Sequence, residues 1–241
     1  MATSTAVPKD AQAGLVIGFD ADDTLWHNEI YYRQAAERFR ALLGAYQAPE
    51  QIEKTLSEFE VRNISLYGYG FKSFTLSMIE AAIAITARQA PAELIDSILQ
   101  IGRGMLNGEV LLFEHARDTL RRLADDHVLM LITKGDLLEQ GNKVRRSGLA
   151  GFFRYIEIVE DKTPESYRAL LDKYAIPARR FLMVGNSLKS DILPVLEIGG
   201  RAIFVPYEHT WAHEHADGRG RSHHEIEHLG QLPSLIASLD A

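Results

Sequence analysis

The spacing of apolar positions divides the chain into three stretches. A continuous apolar run from Leu15 to Phe19 predicts a strand that is buried on both faces of a parallel sheet. Beyond Trp26, apolar residues recur every three or four positions and predict four successive helices. From about residue 112 onward, short apolar runs alternate with helical patterns, which is typical of parallel β-α-β units.

The individual elements follow from the same patterns. In the helical stretch the second helix follows Pro49, and the fourth begins near Pro91 and is expected to end among Gly102, Gly104 and Gly108. In the alternating stretch we expect strands over residues 127–133, 155–159, 181–184 and 202–205, helices over 116–123, 137–146, from Pro164 and over 192–198, and an edge strand with a closing helix within 225–239.

Together these elements predict an α/β protein. Its core would be a Rossmann-like parallel sheet with helices on both faces, built from residues 1–27 and 110–241. Residues 28–109 would form an inserted all-α domain. Such an insertion costs little chain entropy when its two ends lie close together.

Composition excludes several classes of protein. The chain has 241 residues and a formal charge of −7, which argues against a nucleic-acid-binding surface. It has no cysteine, so disulfides, thiolate metal sites and cysteine nucleophiles are excluded. No apolar run approaches a membrane span, and residues 1–13 lack the apolar centre of a signal peptide, so we expect a cytoplasmic protein. The C-terminal histidines, His213 and His215 among them, match no structural zinc spacing.

Polar side chains follow the carboxyl end of each predicted core strand, where ligands bind in open α/β sheets. In chain order they are Asp20, Asp22, Asp23, Thr24, Thr133, Lys134, Lys162, Asn186 and Asp191. Taken singly, each has an ordinary explanation as a helix cap, a turn residue or a surface charge. Because the strand ends should converge on one crevice, the set as a whole predicts a functional site.

The order of these residues resembles the haloacid dehalogenase superfamily. The similarity consists of Asp20-x-Asp22-x-Thr24 on the first strand, Thr133 on the second, Lys162 after the third, and a Gly-Asn-Ser loop at 185–187 followed by Asp191. A helical insert directly after the first strand is similar to the cap domain of the phosphatase-type members. The likeness covers about residues 14–27 and 110–240.

The resemblance implies Mg²⁺-dependent hydrolysis of a small-molecule phosphate monoester through an aspartyl-phosphate. Asp20 would be the nucleophile, Asp22 the general acid and base, and Thr133 and Lys162 the groups that stabilise the transferring phosphoryl group. The metal ligands it implies are Asp20, Asp22 through its backbone carbonyl, Asn186 and Asp191. The phosphate-binding residues it implies are Ala21, Asp23, Thr133, Lys134 and Lys162.

Two residues depart from the family pattern. The family more often has an acid where this chain has Asn186, so that Asp191 would take a larger share of the coordination or metal affinity would fall. The family more often has asparagine where this chain has Lys134, which either adds a cation beside the phosphate or points outward. For Asp23, a role in the turn is the alternative to a phosphate contact.

Substrate specificity is expected to come from the cap, at Tyr67, Tyr69 and Lys72 in a glycine-rich segment. The alternative is that the aromatic residues of this segment only pack within the cap. A phosphomutase or dehalogenase of the same superfamily, or a catalytically degenerate phosphate-binding member, are the other functions that the motifs allow. The partner would be a small phosphorylated metabolite. The oligomeric state is open, a homodimer included.

Overall fold

The computed structural model describes residues 14–209 and 223–239, so His213 and His215 lie outside the described residues. The described part of the chain contains a parallel sheet in the order β3-β2-β1-β4-β5-β6. The strands are β1 Val16–Phe19, β2 Val128–Lys134, β3 Tyr155–Val159, β4 Phe181–Gly185, β5 Arg201–Phe204 and β6 His224–Glu225.

The helices follow the predicted order closely. They are α1 Glu29–Leu43, α2 Pro49–Tyr67, α3 Phe71–Ile85, α4 Ala92–Asn107, α5 Ala116–Leu123, α6 Leu137–Ser147, α7 Pro164–Lys173, α8 Leu193–Glu197 and α9 Leu232–Leu239. Pro164 occupies the first turn of α7, where its fixed φ suits a helix, and Thr163 caps that helix.

β1 lies in the middle of the sheet and pairs with both β2 and β4. Phe19 is opposite Leu131 in β2 and opposite Val184 in β4. The carboxyl ends of these parallel strands therefore lie at the same edge of the sheet, with β2 continuing to Lys134. The polar residues that follow them are therefore brought to one edge of the sheet.

The strands are apolar on both faces because helices cover both. On one face, Ile17 and Phe19 pack with residues of α5, α6 and α9, including Leu120 and Ile236. On the other face, Val16 belongs to a cluster with residues of α7 and α8. The predicted α/β fold with helices on both sides of a parallel sheet is confirmed.

The chain divides into two compact units. One comprises the described residues of Met1–His27, Val110–Lys134 and Gln140–Ala241, and contains the sheet. The other comprises Asn28–Glu109 and Gly135–Glu139. Its apolar core, which includes Phe39, Ile52 and Met78, comes from the helices α1 to α4.

Of the three glycines at which α4 was expected to end, the last one, Gly108, follows the end of the helix, whereas Gly102 and Gly104 lie inside it. The helix continues through Gly102 and Gly104 to Asn107. A Cβ atom at Gly102 would lie 2.1 Å from the hydroxyl oxygen of Thr75 in α3, so this glycine serves close packing of two helices and is not a helix terminator. Within residues 14–209 and 223–239, no helix combines the length and apolar character needed to cross a membrane.

Candidate active site

The chain turns sharply after β1. The backbone N–H of Asp20 donates to the carbonyl of Val184 (2.9 Å), which extends the pairing with β4 by one residue. The carbonyl of buried Ala21 accepts hydrogen bonds from within the turn, and Asp23, at φ 61°, donates its backbone N–H to the carbonyl of Trp26 (2.7 Å). Asp23 therefore shapes the turn, and the turn keeps the two predicted catalytic aspartates at the end of β1.

The side chain of Asp20 is buried among polar groups. Its Oδ1 atom lies 2.5 Å from the ammonium of Lys162, and its Oδ2 atom accepts a hydrogen bond from the hydroxyl of Thr24 (2.8 Å). The same ammonium donates to Oδ1 of Asp191 at 2.7 Å. Lys162 and Asp191 are 4% and 1% exposed, so one lysine charge stands between two carboxylates away from solvent.

Burial controls the ionisation of these groups. It raises the pKa of Asp20 to about 7; the Lys162 ammonium opposes this shift and the Asp191 carboxylate adds to it. Burial alone would lower the pKa of Lys162, but the Asp191 and Asp20 carboxylates outweigh it and hold that pKa above its ordinary value. The lysine is therefore a permanent positive charge beside Asp20.

Thr24 links the first strand to the loop after β4. Its hydroxyl oxygen lies 3.1 Å from Oδ1 of Asn186 and accepts a hydrogen bond from the backbone N–H of the same residue, also at 3.1 Å. Since this hydroxyl also contacts Asp20, oxygens of Asp20 and Asn186 both lie within hydrogen-bonding distance of one atom.

Asp191 is held by the π-helical turn Leu188–Ile192 that precedes α8. Its Oδ2 atom accepts from the backbone N–H of Ser187 (3.0 Å), whose hydroxyl caps the turn through the N–H of Ser190. A Cβ atom at Gly185 would lie 2.3 Å from that Oδ2 atom. Glycine is therefore needed at position 185 for the Asp191 carboxylate to reach its place.

The oxygen atoms at this edge fit Mg²⁺. The site offers the Asp20 carboxylate, the Asn186 amide oxygen and backbone carbonyls of the turn, all hard ligands of the kind that Mg²⁺ takes. Within the described residues no cluster of three or more His, Cys, Asp or Glu is arranged to hold a metal ion. Both oxygens of Asp20 and both oxygens of Asp191 accept hydrogen bonds from protein groups, and the Asn186 amide supplies a further oxygen beside Asp20.

Asp22 lies in different surroundings from Asp20. Its Oδ1 atom accepts from the indole N–H of Trp26 (2.6 Å), and its Oδ2 atom accepts from the side-chain amide of Gln140 (2.8 Å). The ammonium of Lys143 lies 3.0 Å from Oδ2 and 3.3 Å from Oδ1. The two aspartates are two residues apart in sequence but contact different sets of side chains.

The residues at the end of β2 also face neighbouring groups of the site. The hydroxyl of Thr133, which is 1% exposed, donates to Oε1 of Gln140 at 3.3 Å. The ammonium of half-buried Lys134 donates to the hydroxyl of Ser190 at 3.0 Å. Lys134 therefore bridges the end of β2 to the loop after β4.

The three predicted cap residues lie in the second compact unit. The hydroxyl of Tyr67 donates to Glu80 (2.9 Å), and the ammonium of Lys72 lies 2.7 Å from the carboxylate of Asp136. Tyr69 is half-buried in the turn between α2 and α3.

Gln140 and Lys143 are not among the residues predicted from the sequence. Both lie on α6, and Gln140, Lys143, Val144 and Ser147 are all buried. These positions have the i, i+3, i+4, i+7 spacing of a buried helical stripe, but polar residues occupy three of them. Polar residues on the buried face of the helix that follows Thr133 were the available signal.

Comparison with known proteins agrees with this geometry. A family model described as haloacid dehalogenase-like hydrolase matches residues 15–199. The crystal structure of a haloacid dehalogenase-like family hydrolase from Xanthomonas campestris is 40% identical, with a TM-score of 0.86 over 96% of this chain and 94% of that one.

Two further relatives carry names of enzymes. The 5-amino-6-(5-phospho-D-ribitylamino)uracil phosphatase YigB of Escherichia coli (strain K12) is 24% identical in an alignment of 237 residues that covers 90% of this chain and 94% of that protein. A structure of 2-haloacid dehalogenase from Pseudomonas syringae pv. Tomato DC3000 is 24% identical, with a TM-score of 0.62 over 94% of this chain and 99% of that one. The latter likeness shows a shared fold.

Proposed function

The chain belongs to the haloacid dehalogenase-like hydrolases, and on that premise we propose that it is a Mg²⁺-dependent phosphatase of a small phosphorylated metabolite. The observation that carries the proposal is the pair of aspartates after β1. Asp20 contacts a buried lysine, and a carboxylate that attacks a negatively charged phosphate needs such a positive charge beside it. Asp22 contacts a separate set of hydrogen-bond donors.

In the first half of the proposed reaction, a carboxylate oxygen of Asp20 attacks phosphorus and the bond from phosphorus to the ester oxygen breaks. Asp22 gives its proton to that ester oxygen, so the alcohol leaves neutral and Asp20 becomes an aspartyl-phosphate. In the second half, Asp22 takes a proton from water, the water oxygen attacks phosphorus, and the acyl–phosphate bond breaks. Inorganic phosphate leaves and both aspartates return to their starting states.

The remaining residues would hold charge and position. Lys162 balances the negative charge of Asp20 and of the transferring group. The buried hydroxyl of Thr133, which donates to Gln140 in the structure, would turn to donate to a phosphate oxygen. Lys134, Ala21 and Asp23 are the further phosphate contacts of the proposal. Asp20, the backbone carbonyl of Asp22, Asn186 and Asp191 would hold Mg²⁺, which would supply additional neutralisation of phosphate charge.

Dehalogenation is the second candidate, since a 2-haloacid dehalogenase shares the fold. In that reaction a carboxylate attacks carbon and a halide leaves, and a halide needs no proton from an acid. Asp22 and its contacts with Trp26, Gln140 and Lys143 would then serve no step of the reaction. Phosphate ester hydrolysis uses the whole arrangement, and a phosphomutase would differ only in the acceptor of the phosphoryl group.

The test is phosphate release from p-nitrophenyl phosphate and from a panel of phosphorylated metabolites, with Mg²⁺ and with EDTA. The panel includes 5-amino-6-(5-phospho-D-ribitylamino)uracil, and a parallel assay follows halide release from 2-chloropropionate. We expect Mg²⁺-dependent phosphate release that Asp20→Asn abolishes and that exposed Asp118→Asn leaves unchanged.

Each other outcome points to a different function. Halide release would favour the dehalogenase, and transfer of phosphate to a second metabolite without free phosphate would favour the mutase. Phosphate binding with no turnover of any compound would favour the degenerate binding member.

We extend the proposal to the cap residues Tyr67, Tyr69 and Lys72 as determinants of substrate choice. Tyr69→Phe and Lys72→Met should change the ratio of kcat/KM between the preferred metabolite and p-nitrophenyl phosphate. Lys54→Met, an exposed lysine of the same unit, is the control. An equal loss on both substrates would mean that the segment is structural.

A further inference from the structure

Three buried side chains fix the position of the Asp22 carboxylate. Trp26, Gln140 and Lys143 are 1%, 2% and 8% exposed, and each donates to this carboxylate at a distance between 2.6 and 3.3 Å. A carboxylate on a turn would otherwise rotate about its side-chain torsions. With donors on both of its oxygens, Asp22 is restricted to one orientation.

The burial of Lys143 needs an explanation, because it is a charged residue. Lysine is almost never fully buried unless it is paired, because the ammonium loses its hydration. In α6 it comes one helical turn after Gln140, and both side chains reach the same oxygen of Asp22. The burial of a charged residue at this point is explained by its carboxylate partner.

Gln140 connects Asp22 to Thr133, near the carboxyl end of β2. Its amide nitrogen donates to Asp22, while its amide oxygen accepts from the hydroxyl of Thr133 at 3.3 Å. These two contacts fix which way the amide points.

We propose that Gln140 and Lys143 are positioning residues that orient Asp22 toward the leaving oxygen of the substrate. The proposal rests on the phosphatase function above, in which Asp22 delivers a proton to that oxygen. In this proposal Gln140 and Lys143 of α6 act only through Asp22 and do not contact the reacting atoms.

The experiment is a leaving-group series of aryl phosphates, from p-nitrophenyl phosphate through phenyl phosphate to 4-methylphenyl phosphate. The p-nitrophenolate ion leaves readily without a proton, whereas 4-methylphenolate is more basic and depends on the acid. We compare kcat/KM, because it reports only the steps up to departure of the first product.

For Lys143→Met and Gln140→Leu we expect a loss of about 50-fold on 4-methylphenyl phosphate and of less than about fivefold on p-nitrophenyl phosphate, since general acid catalysis contributes about 10²–10⁴-fold. Arg145→Met, an exposed cation of the same helix, should leave the series unchanged. In an Asp22→Asn background, Lys143→Met should add no further leaving-group dependence, because the lysine acts through that carboxylate.

The possible failures are distinguishable. If the wild type releases phosphate neither from the aryl phosphates nor from the metabolite panel, the phosphatase function is wrong. If the wild type hydrolyses the whole series but the variants lose the same factor on every ester, or lose nothing, the phosphatase function stands and the positioning role is wrong. If Lys143→Met raises KM by the same factor for every ester and leaves kcat unchanged, Lys143 binds the phosphate and does not position Asp22. Thermal unfolding checks that each variant is folded. If only one of Lys143→Met and Gln140→Leu folds, that variant alone is sufficient for the test.

Discussion

The ammonium of Lys162 lies 2.7 Å from Oδ1 of Asp191, and the side chains of these two residues are 2% and 1% exposed. The same ammonium contacts Asp20, which lies 142 positions earlier in the chain. Two carboxylates from different strand ends thus share one buried cation. Such an arrangement is stable only while the cation is present, because unpaired buried charges are costly.

Replacing Lys162 by methionine should therefore destabilise the protein as well as inactivate it. The expected loss in the free energy of unfolding is about 3–5 kcal/mol, since Asp20 and Asp191 remain buried without the lysine. Urea unfolding at neutral pH measures it. Lys173→Met is the control, because Lys173 pairs with Glu157 at an exposed position and should change stability by less than about 1 kcal/mol. A loss below that limit for Lys162→Met would contradict the interpretation.

Gly185 should not tolerate a methyl group. In Gly185→Ala the new Cβ atom would stand 2.3 Å from an oxygen of Asp191, so the carboxylate must leave its contacts with Ser187 and Lys162. We expect a loss of about 2 kcal/mol or more in the free energy of unfolding. Gly141→Ala is the matched control. A Cβ atom at Gly141 meets nothing within 4 Å, and alanine should stabilise α6 by about 0.5–1 kcal/mol. Equal effects of the two substitutions would refute the steric argument.

Asn186→Asp tests the proposed metal site without an activity assay. In this variant two carboxylates, those of residues 20 and 186, would contact the Thr24 hydroxyl. Because like charges repel, the melting temperature in EDTA should fall by a few degrees. Saturating Mg²⁺ should then raise the melting temperature more than it does in the wild type, because the added charge strengthens coordination. Calorimetric titration with Mg²⁺ gives the affinity directly. Asn142→Asp on α6 should change neither value, and an unchanged Mg²⁺ affinity in Asn186→Asp would exclude residue 186 as a ligand.

Glu60 should make the stability of the helical unit depend on pH. It lies on α2 in the same stripe as the buried residues Leu56 and Asn63, and burial raises its pKa to about 7. Since its pKa is higher in the folded than in the unfolded chain, its ionisation disfavours folding. The cost is absent below the ordinary pKa of 4.5, grows as the pH rises, and is complete above about pH 7.

Glu60→Gln should accordingly raise the free energy of unfolding by about 2 kcal/mol at pH 8 and leave it nearly unchanged at pH 4.5. Circular dichroism melts at the two pH values make the comparison. Glu58→Gln, at an exposed position of the same helix, should show no such difference. A gain from Glu60→Gln that is the same at both pH values would rule out ionisation as its cause.

The sequence predicted the elements whose signals are local. The apolar run before Asp20 marks β1. Short apolar runs locate the other strands, and apolar residues every three or four positions locate the helices, to within a few residues. Because the strands are parallel, the sequence also predicted that residues such as Thr133 and Asn186 would gather at one edge of the sheet. No contact between them needed to be known for that step.

Features that depend on packing were not predictable in the same way. Whether Lys143 faces solvent or the site depends on how α6 is rotated against the sheet, and helical periodicity gives no absolute orientation. Because glycine is a poor helix former, Gly102 predicts the end of a helix, but its closeness to Thr75 depends on the packing of α3 against α4. The π-helical turn before α8 is not predictable from a local pattern either, and its Asp191 pairs with Lys162, a partner from another strand end.

The ion pairs of Lys162 also bear on the order in which the sheet can assemble. Pairing of β1 with β4 brings Asp20 and the Asp191 turn together, whereas the lysine arrives only with the segment that follows β3. A partly folded chain that pairs β1 with β4 alone would bring together two acids with no cation between them and would be penalised for it. Incomplete intermediates of this kind should therefore be sparsely populated. We therefore expect the charges of the candidate active site to make folding of the sheet more cooperative, in addition to its apolar contacts.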